Sequence, residues 1–206
     1  PFSLYSAFPL DVEMLYALAL GLGGAAVAKL INLQFGVLLL WTLACLGRRA
    51  SPRAALLALL LVLADPLFRW ELGVAYTDLA GAFYALCATV AFADALAAPD
   101  RRALLRLAIF GGACVAIRLP ALLVPAALTA VLILETRRRG ARALARDSAI
   151  VAAGCLVALL PWLVRNAVFT GNPLAPALQS ASAPYFESVV VHQMLGGSRS
   201  IGVGHG

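Results

Sequence analysis

Apolar residues fill long blocks of this chain, and the breaks between blocks are short and mostly charged. Blocks 25–46, 54–70 and 76–97 each approach the roughly 20 residues that a helix needs to cross a bilayer. As a single helix, the next stretch, 107–135, would carry Arg106 and Arg137 to opposite faces. It would also leave Arg118 near mid-membrane, where a charge is costly. A hairpin of two short helices turning at "IRLPA" (Ile117–Ala121) avoids both problems, and Pro120 disfavours helix at Leu119. Each arm is then about 16 residues, or about 24 Å. A last block, 148–164, ends at "PWLVRN". The Pro-, Gly-, Ser- and Asn-rich "AVFTGNPLAPALQSASAP" that follows reads as loop.

The N-terminal pattern differs. "MLYALALGLGG" is too short to span and ends in a glycine pair, whereas 25–46 is long enough for one inward crossing. Leu10–Leu22 is therefore expected to be an amphipathic helix lying on the outer interface. Asp11 and Glu13 would then be outside, with Lys29 near the outer end of the next span. A full crossing that starts inside is the competing reading, but it needs a shortened span and cytoplasmic acids.

Arginine placement gives this pattern a direction. "GRRASPR" (Gly47–Arg53), "PDRRALLR" (Pro99–Arg106) and "TRRRGARALAR" (Thr136–Arg146) together hold 11 of the 16 Lys and Arg residues. The positive-inside rule puts all three loops in the cytoplasm, so an even number of crossings separates each pair. The turn after block 54–70 then faces outward, and Trp70 and Tyr76 suit an aromatic belt there.

Composition agrees with this reading. Hydrophobic residues make up 63% of the 206-residue chain and charged residues 13%, too oily for a domain surrounded by water. The net charge of +6 is thus a topology signal, and nucleic acid is not an expected partner. Cys45, Cys87, Cys114 and Cys155 all lie in apolar runs without CxxC or His-rich context, which fits small buried hydrophobes.

The outer ends collect Asp11, Glu13, Lys29, Arg69, Glu71, Asp78, Arg118, Arg165 and Asn166. Charge of both signs at helix ends usually faces a cavity or its own counter-charge, so an outward-facing polar cavity is the expected site. Plainer roles compete at each position. Arg69 and Glu71 could form an interfacial ion pair. Arg165 could bind the last carbonyls of its helix, Lys29 could snorkel, and Asp65 before Pro66 could serve a helix kink. Asp78, after Thr77, could be a cap or first-turn residue. Gly111 and Gly112 read as close-packing positions. Chemically, outward cations can hold a phosphate or pyrophosphate, and a nearby carboxylate can take a proton from an acceptor hydroxyl.

Several segments resemble the GT-C class of polyprenyl-phosphate-sugar glycosyltransferases, in the branch of the protein mannosyltransferases and lipid A aminoarabinose transferase. They are Phe8–Leu39, "AYTDLAGAFYALCA" (Ala75–Ala88), "GGACVAIRLPALLVPAAL" (Gly111–Leu128), "PWLVRNAVFTGNPLAPAL" (Pro161–Leu178) and the closing "MLGGSRSIG". The resemblance implies an all-α, polytopic transmembrane bundle of GT-C type, and transfer of a sugar from a polyprenyl-phosphate donor on the non-cytoplasmic face. It implies Asp78 and Glu13 as catalytic carboxylates. Lys29, Arg69, Glu71, Arg118, Arg165 and Asn166 are then the expected substrate-binding residues. Arg118 stands where the family often has Lys, which keeps phosphate binding but alters its geometry. The family's main catalytic Asp, in a first outer loop, has no convincing copy here and is expected upstream of Pro1.

The expected organisation is one transmembrane domain. Residues 1–24 form an outer loop and interfacial helix, 25–166 six membrane helices, and 167–206 a truncated outer loop. The expected location is the inner (plasma) membrane, multi-pass, with membrane lipids and the lipid-linked sugar donor as partners. No cofactor is identified. A divalent metal stays open, since His192 and His205 have no identifiable co-ligands. Two other classes remain: a transporter or flippase for a lipid-linked or anionic solute, and a scaffold subunit whose polar turns only make ion pairs. Against transport, the sequence has no inverted repeat, and its charges gather at one face instead of the midplane.

Overall fold

The computed structural model describes residues 11–97, 100–117, 123–137 and 140–174. These are 91% helical and contain no strand. In order, the helices are α1 (Asp11–Ala50), α2 (Pro52–Ala64), α3 (Pro66–Glu71), α4 (Asp78–Ala97), α5 (Arg101–Ile117), α6 (Leu123–Arg137) and α7 (Ala141–Thr170). In α1, α4 and α7 the apolar stretch is long enough to cross a membrane, and α2 and α6 are shorter apolar helices. Leu22, Leu61, Leu123 and Val168 are among many large apolar side chains left on the surface. Such a surface needs lipid around it, so this is a membrane-embedded helical protein.

The chain divides into two compact units, 10–160 and 161–206 with 1–9. In the first, α1 is two helices in one. Gly23 (φ −159°, ψ 17°) and Gly24 (φ 74°, ψ −169°) break it, and the positive φ at Gly24 suits a residue without Cβ. A straight helix would hold Tyr16 and Asn32 about 24 Å apart. Here they are hydrogen-bonded at 2.9 Å, so arms 11–22 and 25–50 fold back on each other. Ala19 and Ala28 are small enough to be buried in the cluster this reversal brings together. The first arm, at about 18 Å, is too short to cross the ~30 Å hydrocarbon core.

Local chemistry explains the next breaks. Ser51 caps α2 by accepting from the Ala54 N–H at 3.0 Å, with Pro52 at the first helical position. Block 54–70, expected as one span, divides at Asp65–Pro66. Asp65 is extended (φ −65°, ψ 119°), ends α2, and caps α3 through the Leu67 N–H at 3.0 Å. Pro66 imposes that extended conformation on the residue before it. Asp100 caps α5 in the same way, accepting from the Ala103 N–H at 2.6 Å. The expected hairpin arms are α5 and α6, while its turn, 118–122, lies outside the described residues.

The first unit has two chemically distinct ends. Near the C-terminus of α4, Asp94 meets Arg49 at 2.9 Å and Arg106 at 3.4 Å, tying the α1–α2 turn to the start of α5. Ala95, Ala103, Leu104, Leu132 and Val151 share one cluster, so α6 and α7 pack against the same stretch of α4 and α5. The first two arginine-rich connections thus meet at Asp94, and α6 and α7 join the neighbouring core through Leu132 and Val151. At the other end of α4, Ala80 clusters with Val12, Tyr16, Ala19, Ala28 and Ile117. Sixteen residues of α4, about 24 Å, separate Asp78 from Asp94.

Helices α5 and α7 approach closely through small residues. A Cβ on Gly154 would lie 2.4 Å from Ala108 Cβ and 3.0 Å from its Cα. One on Gly112 would lie 2.8 Å from the Gly154 carbonyl oxygen. Gly112 is therefore a packing residue, as the sequence suggested.

In the second unit, α7 continues to Thr170, past the expected end near Val164. Pro161 sits inside the helix and removes one backbone donor, a defect that helices in lipid tolerate. The stop is Gly171 (φ 71°), whose N–H reaches the Ala167 carbonyl at 3.1 Å. Trp162 and Asn166, four residues apart on one face, are buried.

Candidate functional site

The acidic end of the first unit is organised by a residue that the charge pattern passes over. Asn32 is completely buried, and its side chain amide is fully engaged. Its Nδ2 donates to the Glu71 carbonyl at 2.6 Å and to the Val74 carbonyl, and its Oδ1 accepts from the Tyr16 hydroxyl at 2.9 Å. That hydroxyl also lies 2.8 Å from the Tyr76 carbonyl oxygen, so its single proton is shared between two acceptors. The result is a clasp. Both arms of α1 and the 71–77 turn between α3 and α4 meet on one amide, in a place where unmade hydrogen bonds are expensive.

The turn can come this close because Ala28, Asn32 and Gly36 are spaced by four along one helix face. At Gly36 a Cβ would meet Leu72 Cδ2 at 2.3 Å, so the turn packs directly onto the backbone there. Beside it, the Trp70 and Tyr76 rings are 5.6 Å apart and half exposed. An amphipathic aromatic pair of this kind is what the sequence placed at the interface.

Three expected site residues lie on the segments that meet at this clasp. Glu13 is three positions before Tyr16, hence on its face of the helix, and its Oε2 is out of solvent. Glu71 supplies a carbonyl to the clasp and is half-buried. Asp78 opens α4, where the helix dipole favours a carboxylate. The capping carbonyl itself belongs to Thr77, which accepts from the Gly81 N–H at 3.0 Å. The Thr77 hydroxyl is buried without a hydrogen-bond partner among the described residues.

The expected cations behave differently. Lys29 and Arg69 are exposed, on the second arm of α1 and on α3. Arg118 lies outside the described residues, as do the 175–206 tail and both histidines. Arg165 and Asn166 belong to the second unit, half-buried and buried respectively. Among the described residues no group of three or more His, Cys, Asp or Glu could hold a metal ion.

Tyr16, Asn32 and Thr77 were not among the residues expected from sequence. Asn32 carried a signal nonetheless: an amide in an apolar span, four residues from small neighbours on each side. Comparison with protein-family models, curated proteins and solved structures gave no match to this chain.

Proposed function

We propose that this chain is part of an integral-membrane glycosyltransferase of GT-C type, moving a sugar from a polyprenyl-phosphate donor to an acceptor on the non-cytoplasmic face. The observation that carries the reading is the placement of Glu13, Glu71 and Asp78 on the segments that meet at the Tyr16–Asn32 clasp, at the end of α4 opposite the arginine-rich turns that meet at Asp94. With those turns in the cytoplasm of a plasma-membrane protein, the carboxylates open to the other compartment. That is where a lipid-linked donor would present its sugar while its tail stays in the bilayer. In this topology the first arm of α1 lies at the outer interface and six helices cross. They are the second arm of α1, α2 with α3, α4, α5, α6 and α7.

In the proposed mechanism a carboxylate at this end, Asp78 or Glu13, accepts the proton of the acceptor hydroxyl. Arginine and lysine side chains, Arg118 among them, neutralise the phosphate as it leaves. The clasp holds the turn that carries Glu71 and the start of α4 in fixed register. The sequence segments that resemble the GT-C class support this assignment of roles.

The test uses the full-length protein in proteoliposomes with a polyprenyl-phosphate sugar. Asp78→Ala and Arg118→Ala, made separately, should each lower turnover by about 100-fold or more while the folded protein is retained. Wild-type turnover in both would remove them from the site. Solute uptake without sugar transfer would favour a transporter instead.

A further inference from the structure

A groove of about 520 Å³ runs along the surface between α5 and α7, away from the acidic end. Its walls are Leu105, Ala108, Ile109, Ile150, Ala153 and Val157, and Arg101 closes one end. The groove exists because Ala108 and Gly154 let the two backbones nearly touch while larger side chains flare outward at the rim. Leu105, Ile109 and Val157 are exposed there. We propose that this groove binds one anionic phospholipid, with an acyl chain along the groove and the phosphate at Arg101.

Two features select that occupant. The first is length. From Arg101 to Ala113 the groove follows α5 for about 18 Å, close to one leaflet of the ~30 Å core. An acyl chain entering from one headgroup layer fits that reach, whereas a crossing helix would need the whole ~30 Å. The second is charge. The only charged lining residue is Arg101, exposed in the first turn of α5, the helix whose Arg106 meets Asp94 together with Arg49. Nearby carboxylates are committed elsewhere. Asp94 is taken by Arg49 and Arg106, Asp147 by Arg146 at 2.8 Å, and one oxygen of Asp100 by the Ala103 N–H. Arg101 makes no ion pair with a described residue, so its guanidinium is available to a phosphate, which its planar fork fits. This site does not depend on the glycosyltransferase reading.

The experiment delipidates the full-length protein in detergent. It then offers equal phosphatidylglycerol and phosphatidylcholine with identical chains, and counts bound lipid by native mass spectrometry. Wild type should retain phosphatidylglycerol over phosphatidylcholine by roughly fivefold, the factor expected for one cation near a headgroup. Arg101→Gln, a surface change that leaves packing intact, should bring the ratio near one. Ala153→Phe, which fills the groove, should lower retention of both lipids. Equal retention by wild type, an unchanged ratio in Arg101→Gln, or undiminished binding in Ala153→Phe would each overturn the proposal. So would cross-linking of an Ile109→Cys variant to a second copy of the chain across the groove.

Discussion

Replacing Asn32 by Leu removes the amide that joins three segments of the chain. The structure gives the amide three hydrogen bonds: to the Glu71 and Val74 carbonyls, and from Tyr16. A net hydrogen bond contributes about 0.6 kcal/mol on average between membrane helices and up to about 1.5 kcal/mol in buried sites generally. The Glu71 carbonyl keeps the Val74 N–H at 3.3 Å, and Tyr16 keeps the Tyr76 carbonyl. Those remaining partners soften the loss, while the bulk of Leu against the packed turn adds to it. The expected cost is about 2–4 kcal/mol. Tyr16→Phe, which loses only the shared hydroxyl, should cost about 1 kcal/mol. The double variant should cost less than the sum by about 0.5–1 kcal/mol, because the two residues touch. Reversible unfolding in mixed micelles, titrated with SDS and followed by circular dichroism, measures all three. An Asn32→Leu cost under about 0.5 kcal/mol, the scale of an ordinary surface change, would refute the clasp as a structural centre.

Other predictions are smaller. Gly154→Ala pushes a methyl onto the Ala108 backbone and should cost about 1–3 kcal/mol in the same assay, whereas Gly81→Ala meets nothing within 4 Å and should stabilise by about 0.5–1 kcal/mol. Equal effects of the two would mean that α5 and α7 are not in close contact. Asp94→Asn loses two ion pairs whose arginines are more than half exposed, so it should cost under about 1 kcal/mol, less still in high salt. A large, salt-independent loss would show that the tie is buried.

The elements legible in sequence were those with a local cause. The glycine pair at 23–24 and the Asp65–Pro66 kink position each act within a few residues. The lengths of α4, α5 and α6 follow from apolar runs between polar turns. The end of α7 is not legible, because Pro161 and the polar Arg165–Asn166 pair resemble a terminus, yet the helix runs to Thr170. In lipid the helix continues, since no other partner for its backbone is cheaper. The carboxylates Glu13, Glu71 and Asp78 stood out as charges in an oily chain. The Asn32 clasp did not, because its partners are main-chain carbonyls 39 and 42 residues away. Backbone acceptors carry no residue code, so only the folded reversal of α1 discloses them. Asp94 was hidden for a related reason: it looks like one more helix residue until Arg49 and Arg106 converge on it.

Sidedness is the claim on which the functional reading rests, and cysteine accessibility tests it most directly. With the native cysteines replaced, Gly73→Cys marks the exposed turn beside the acidic end, and Arg53→Cys marks an arginine-rich turn. An impermeant maleimide applied to intact cells should label Cys at 73 at once and Cys at 53 only after the membrane is opened. The reverse pattern, 53 labelled and 73 protected, would put the carboxylates in the cytoplasm and contradict the account.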